Sequence, residues 1–368
     1  MGNNAISYKK STKVLHIISA LETGGAEKLL CELLPALIRQ GIDCELLVFK
    51  RVHSEFEKKL EKQGILIHSL DAGNVYNPRN IFRLRKFFKG YDLIHAHLFP
   101  TGYFCAAATL GSNIKCIYTE HSTSNRRREY PILHWPERFI YKRFTKTICI
   151  SEAVRKYLTE WLGEGYDYRM EVINNGIDLE PFEKATGIMS PEPYILMVSR
   201  FGSMKDQATV IKAFAQLHHT HLRLKFAGAG PGEGPCRELA DRLGVSDRVD
   251  FLGERRDIPE LMKGAYIGVQ SSLYEGFGLT AAEFMAAGVP VIASDVPGLK
   301  DVVAGAGLLF KVEDASDLAS KIDSLIDDKS LRLSTIEIQQ KRVKNFTIDR
   351  MAAEYAAIYN SLCTYWVV

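Results

Sequence analysis

Apolar runs of six to eight residues alternate with amphipathic stretches along nearly the whole chain. KVLHIISA (13–20) precedes helical spacing through Arg39. CELLVFK (44–50), ILIHSL (65–70), DLIHAHL (92–98), KCIYTEH (115–121) and KTICIS (146–151) follow, each separated by a helical pattern. Apolar residues fall on both faces of these runs, which predicts parallel strands covered by helices on both sides. Such alternation predicts a doubly wound α/β unit.

The alternation pauses over 176–194, where Pro181, Pro191 and Pro193 stiffen a stretch with no period. That composition marks a linker. The pattern then restarts with YILMVSR (194–200), LRLKFAG (222–228), RVDFLG (248–253), YIGVQSS (266–272) and PVIASD (290–295). A second doubly wound unit is expected. We place the first domain at 1–182 and the second at 190–345. A last amphipathic helix, 347–363, follows the second sheet and must pack elsewhere. Two such domains would face each other across a crevice at the C-terminal ends of their strands, where ligands of these folds bind.

The 368 residues are 46% hydrophobic and 25% charged, which fits globular domains and excludes disorder. The net charge of +3 argues against a nucleic-acid partner. Residues 1–185 hold 27 basic and 21 acidic residues, 27 − 21 = +6, so the remainder is at −3. Seven cysteines, with no C-x-x-C pair, suggest neither a disulfide framework nor a zinc site. No run reaches the ~18 apolar residues of a membrane span, and the polar start is not expected to act as a signal peptide. A cytoplasmic protein is expected.

Four groups of residues carry candidate chemistry. Gly24-Gly25-Ala26-Glu27 joins the first strand to a helix, where free N–H groups and the helix dipole suit an anion. The G-x-G-x-x-G spacing of a dinucleotide site is absent, and Gly24 also suits a plain helix cap. Arg200 and Lys205 lie where the crevice edge should be, and two cations there suit a diphosphate. Glu275 sits beside Gly276 and Gly278, whose amides and carboxylate neighbour suit a polyhydroxylated ligand. Glu283 follows in Thr280-Ala-Ala-Glu283, which also reads as a capping box. His95 and His97 share one strand face, and His121 ends the next strand pointing at the crevice. A two-histidine metal site needs further ligands, and none is visible in range, so no metal site is expected.

In this order, GGAE, IHAHLF, TEHS, ISE (150–152), NNGID (174–178), VSRFGSMKD (198–206) and YEGFGLTAAEFMAAGVPVIASDVPG (274–298) resemble glycosyltransferase family 4. The resemblance runs from Lys13 to Phe310. It implies the GT-B fold and a retaining, metal-independent transfer from a nucleotide diphosphate sugar, with a UDP-sugar favoured over a GDP-sugar. No cofactor is implied. The acceptor would be a glycan or a lipid-linked sugar in cell-surface polysaccharide synthesis. Carried over residue by residue, Glu283 would hold the ribose. Arg200 and Lys205, with the Gly25 N–H, would hold the pyrophosphate. Glu275 and the amides of Gly276, Phe277, Gly278 and Leu279 would hold the sugar. Gly253, Glu254 and Arg255 would lie near the base. His121 would sit beside the sugar, with His97 and Arg126, Arg127 and Arg128 on the acceptor side. A sugar-nucleotide epimerase and a non-catalytic nucleotide-sugar-binding regulator are the other readings. The 347–363 helix is expected to cross back to the first domain.

The stretch RNIFRLRKFFKG (79–90) adds one more expectation. Ile81, Leu84, Phe87 and Phe88 share one helical side, and Arg79, Arg83, Arg85, Lys86 and Lys89 the other, with Phe82 among the cations. An aromatic ring inside a basic face suits peripheral contact with an anionic membrane. Arg126–Arg128 are expected to add to it.

Overall fold

The computed structural model describes residues 11–363 apart from Thr23, Ser124, Asn125, Glu164 and the side chain of Arg126. Among the described residues, thirteen strands form two all-parallel sheets. The first contains β1 (Lys13–Ile18), β2 (Asp43–Val48), β3 (Ile67–Ser69), β4 (Leu93–His97), β5 (Lys115–Glu120), β6 (Lys146–Cys149) and β7 (Met170–Val172). Its order is β3-β2-β1-β4-β5-β6-β7. The second contains β8 (Tyr194–Val198), β9 (Arg223–Ala227), β10 (Val249–Phe251), β11 (Ile267–Gln270), β12 (Val291–Ser294) and β13 (Leu308–Phe310), in the order β10-β9-β8-β11-β12-β13. Both orders reverse beside their first strand, and the two reversals open the crevice. The edge strands β7 and β13, three residues each, carry too few positions to show a pattern in sequence.

Each sheet is buried because its strands are apolar on both faces. In β1, Val14 and Ile18 pack toward the Gly25–Arg39 helix, while Leu15 and Ile17 pack on the opposite layer. Burying one such side chain contributes ~1.5–3 kcal/mol. His16 falls between Val14 and Ile18 on the first face and pairs in register with His95 of β4. A parallel sheet thus brings together two histidines that are far apart in the chain.

Between the sheets, the segment expected to be a plain linker contains the short helix Glu180–Lys184. The chain returns along it after the second sheet. Ile177 N–H donates to Phe346 O at 2.8 Å and Ile348 N–H to Ile177 O at 2.9 Å. A Cβ on Gly176 would meet Thr347 O at 2.6 Å, so only glycine lets the two crossings lie this close. The helix Ile348–Cys363 then packs against the Gly25–Arg39 helix of the first domain. Tyr355 and Tyr359 are fully buried there, and Thr12 Oγ1 donates to Asn360 Oδ1 at 2.9 Å.

Candidate functional site

The crevice holds two adjoining cavities of ≈ 330 Å³ and ≈ 370 Å³, within the range of small-ligand pockets, roughly 300–1,000 Å³. Gly25, Val198, Ser199, Arg200, Leu279 and Thr280 line both. The first also takes in Glu283, Glu254 and Arg255. The second takes in Lys205, Glu275, Phe277, Gly278 and His121.

Two helices start at this junction, one from each domain. Gly24 is the N-cap of Gly25–Arg39 and Gly278 the N-cap of Leu279–Ala287, and neither has a side-chain cap. The first-turn N–H groups of each therefore have no partner within their helix. Gly278 needs its left-handed φ of 104° to turn from the β11 loop into the helix. A Cβ on Gly25 would lie 3.9 Å from Leu279 Cδ1, so the two starts face each other closely. The expected Thr280–Glu283 capping box does not form. Thr280 is already inside the helix, because Gly278 rather than Thr280 makes the turn.

Around these starts the charges are held in place. Lys205 Nζ donates to Glu275 Oε2 at 2.5 Å and to Ser272 Oγ at 3.3 Å. The Lys205 turn is fixed by Ser271 Oγ, which donates to the carbonyls of Lys205 and Asp206 at 3.0 and 2.9 Å. Asp206, at φ 40°, caps the next helix through Thr209 N–H. Gln207 Nε2 donates to Ser199 Oγ and Arg200 O at 3.0 and 2.9 Å. Gly228 lies against this strand end, where a Cβ would meet Ser199 O at 2.1 Å.

Glu283 forms an ion pair with Lys28, which the sequence reading missed, across the crevice. Burial works against the Lys28 charge, but the carboxylates of Glu283, Glu32 and Asp178 outweigh it, so its pKa is raised. Burial also raises the pKa of Glu27 one position before. Lys28 follows Gly24 by one helical turn, a spacing that was readable in sequence. A second interdomain contact joins Gly276, whose carbonyl accepts from Ser151 Oγ at 2.6 Å. A Cβ on Gly276 would lie 2.7 Å from His121 O.

Not every expected residue is free for a ligand in the crevice. Gly276 serves this domain contact, and Gly253 accepts from Gly228 N–H at 2.8 Å instead of lining a cavity. Arg255 pairs with Asp257 at 2.6 Å. His97 is buried behind His121 and not on an acceptor surface, because β4 turns its side chain toward β1. Arg127 and Arg128 also turn inward. Arg127 Nε donates to Glu137 Oε1 at 3.2 Å and its guanidinium lies 3.9 Å from the Phe99 ring. Arg128 is buried and donates to Glu120 Oε2 at 2.8 Å. Buried carboxylates, which must be paired, draw both away from solvent and from any membrane role. The side chain of Arg126 lies outside the described residues.

The histidines gather where the sequence reading saw only a pair. His16 Nδ1 lies 3.1 Å from His97 Nε2, and His97 Nδ1 lies 3.4 Å from His121 Nε2. His95 is held at Nδ1 by Tyr359 OH, 2.5 Å away, and at Nε2 by Thr119 Oγ1, 2.7 Å away. His16, His95 and His97 come close enough to form a three-histidine cluster, correcting the expectation that no third donor was in range. Both nitrogens of His95 and of His97 already have partners, which argues for a hydrogen-bonded cluster. Burial keeps all four neutral, lowering His16 to about 3 and His121 to about 4.

Comparison with known proteins matches this geometry to one group. Residues 23–181 match the model of "Glycosyltransferase Family 4" and residues 179–342 that of "Glycosyl transferases group 1". The chain is 29% identical to the putative glycosyltransferase EpsF of Bacillus subtilis, over 82% of this chain and 83% of that one. It is 26% identical to the UDP-Gal:alpha-D-GlcNAc-diphosphoundecaprenol alpha-1,3-galactosyltransferase of Escherichia coli, over 73% and 75% of the two. The crystal structure of Anabaena Alr3699/HepE in complex with UDP and glucose superposes with a TM-score of 0.83 at 22% identity, over 95% of this chain and 100% of that one.

Proposed function

The chain belongs to glycosyltransferase family 4 and has the GT-B fold, and on that premise we propose that it moves a sugar, with retained configuration, from a nucleoside diphosphate sugar to a lipid-linked acceptor. One observation carries this reading. Arg200, Lys205 and two uncapped helix starts converge on a single crevice beside Glu275.

Each part has a role in that reaction. The diphosphate leaving group gains charge as the sugar bond breaks. Arg200, Lys205 and the N–H groups at Gly25 and Leu279 are fixed in advance to meet it, which is the most effective form of electrostatic stabilisation. These cations supply what a metal would otherwise supply, so transfer is proposed to be metal-independent. Glu275 is oriented by Lys205 and Ser272, and holds sugar hydroxyls and the positive charge developing on the ring. The departing phosphate oxygen takes the acceptor proton on the same face, so no covalent step through Glu275 is invoked. Glu283 exchanges Lys28 for ribose hydroxyls, and Glu254 and Arg255 border the base.

A UDP-sugar is the proposed donor. The HepE complexes hold UDP, with glucose or as UDP-glucose, and the fold is shared. The named acceptor of the E. coli relative supports a lipid-linked one. So does the surface of the first domain. Phe82 is 69% exposed beside Arg79, Lys86 and Lys89, although Arg85 is tied to Leu110 O at 3.0 Å and Arg83 to Leu70 O. Ile132 (82% exposed), Trp135 (74%) and Phe139 (61%) form a second apolar ridge at helical spacing. It begins eleven residues after His121. Peripheral attachment to an anionic leaflet would bring a lipid-linked acceptor to the crevice. Among the described residues, no helix is long and apolar enough to cross a membrane.

A thermal-shift panel of UDP-, GDP-, ADP- and dTDP-sugars tests the donor, because a ligand at 100 times its Kd stabilises by about 2.7 kcal/mol. A UDP-sugar should raise Tm in the wild type and not in Arg200→Ala. If no nucleotide sugar shifts Tm, or the variant shifts equally, the proposed site is wrong.

A further inference from the structure

His16, His97 and His121 lie in file from the interior of the first sheet to the crevice. The His16 and His97 rings are 12° from coplanar with centroids 5.4 Å apart, so their nitrogens meet edge to edge. A neutral imidazole has one N–H and one bare nitrogen. His97 bonds a histidine at each end, so it must donate at one end and accept at the other. The protons of the whole file therefore point either outward or inward.

His16 Nε2 decides the direction. It is buried, with no hydrogen-bond partner among the described residues. With the protons inward, His16 carries its hydrogen on Nε2, and a buried N–H is left without an acceptor. With the protons outward, His16 Nδ1–H donates to His97 Nε2, and His97 Nδ1–H donates to His121 Nε2. Only a bare lone pair is then left inside. An unpaired buried N–H is the rarer defect of the two in proteins. The groups around the file do not reverse this choice. His95, 4.2 Å from His97 between ring centroids, is occupied at Nδ1 by Tyr359 OH and at Nε2 by Thr119. Thr119 in turn meets Tyr355 OH at 3.1 Å.

We infer that His97, backed by His16, is a positioning residue that keeps the His121 proton on Nδ1, so that His121 offers the crevice a hydrogen-bond donor and not a base. Nε2 of His121 is turned to His97, which leaves Nδ1 for the cavity that Glu275 and Lys205 share. The ligand it faces is the sugar of the nucleotide donor, whose hydroxyl oxygens accept. The inference rests on the donor reading of the crevice. It also gives the helix Ile348–Cys363 a part in the site: Tyr359 and Tyr355 hold His95 and Thr119, which wall the file in.

Histidine-selective ¹⁵N NMR of the full chain reads the tautomer directly, with the His121 signals assigned by their loss in His121→Ala. Wild type should show the Nδ1–H form of His121. His97→Leu should lose that preference, and His97→Asn, whose amide N–H replaces Nδ1–H, should restore it. Turnover should follow, with kcat falling on the order of 10-fold in His97→Leu, as for other partners that orient a histidine, and recovering in His97→Asn. UDP affinity should be unchanged in both. If His97→Leu does not fold, His16→Leu cuts the file one link earlier and is read in the same way. A His121 in the Nε2–H form, an unchanged tautomer in the leucine variants, or equal kcat in the leucine and asparagine variants overturns the inference. Stoichiometric transition metal on the purified protein also overturns it, because a metal would take the lone pairs that the file uses. The tautomer is read without ligand, so a failure of UDP to bind would strike the donor reading alone.

Discussion

The two walls of the crevice are made of opposite materials. The wall from the second domain is ionic: Arg200, Lys205, Glu275 and Glu283 all border the cavities. The wall from the first domain is neutral at its centre, with His121 backed by His97 and His16 in full burial. Its nearby charges, Arg127 and Arg128, are spent on Glu137 and Glu120 inside the domain. The difference teaches where binding charge can be kept. The second wall keeps its cations at strand ends and on a short turn held from behind by Ser271 and Gln207, so they stay half-exposed for a ligand. The first wall buries its central polar groups beneath a helix, where a group must be either neutral and hydrogen-bonded or paired with an opposite charge, and the histidine file is the neutral case.

The largest expected effect lies on the ionic wall. Lys205→Ala and Glu275→Gln should each lower kcat by about 10²-fold or more with the fold intact, the usual loss for one preorganised charge. Wild-type turnover in either variant at saturating donor would erase the contrast between the walls.

The neutral wall should instead fail in acid. An unfolded histidine binds a proton near pH 6.5, while the folded His16 and His121 resist until about 3 and 4. Folded pKa values below the unfolded ones mean that stability is full above about pH 6.5 and declines as the pH falls toward 4. At pH 5 each such histidine costs about 2 kcal/mol. Amide protection factors, corrected for the intrinsic pH dependence of exchange, should therefore fall at pH 5 in β1 and β4 before β8 and β11. An equal fall in both sheets would count against the buried file.

Much of this contrast was legible in the sequence, and the reason is local. Arg200, Lys205 and Glu275 lie at the ends of apolar runs, and a doubly wound sheet delivers strand ends to the crevice whatever the details. The neutral wall was not legible. His16 and His97 are 81 positions apart and meet only because β1 and β4 pair in register.

A smaller effect belongs to the ion pair that joins the walls. Lys28→Ala removes the partner of Glu283 from across the crevice. Donor affinity should rise by less than about 10-fold, because Glu283 gives up this pair to take the ribose and a partly exposed pair contributes ~1 kcal/mol. A 10²-fold loss in a calorimetric titration with UDP would make Lys28 a principal ligand and blur the distinction.

On the outer face of the neutral wall, Trp135→Ser with Phe139→Ser should reduce co-sedimentation with phosphatidylglycerol vesicles several-fold at low salt. Soluble donor binding should be unaffected. Equal pelleting of wild type with neutral and anionic vesicles would remove the membrane from the proposal.

The smallest expected effect is none at all. Chelation by EDTA should leave transfer unchanged, because Arg200 and Lys205 offset the diphosphate charge. Loss of activity restored by Mg²⁺ or Mn²⁺ would show that the ionic wall is incomplete without a metal.

By itself the sequence determined the alternation of strand and helix, the two parallel sheets and the cluster of strand-end charges, because each is written in spacing over ten or twenty residues. Tertiary structure decided what spacing does not carry. It turned Arg127 and Arg128 inward, since Glu120 and Glu137 are buried and need partners. It moved the helix start from Thr280 back to Gly278, the residue able to make the left-handed turn. It brought His16 to His97, and laid Tyr355 and Tyr359 of the returning helix over the same sheet face. The contacts of Tyr359 with His95 and of Tyr355 with Thr119 join residues 264 and 236 positions apart, and only a folded sheet brings them within hydrogen-bond distance.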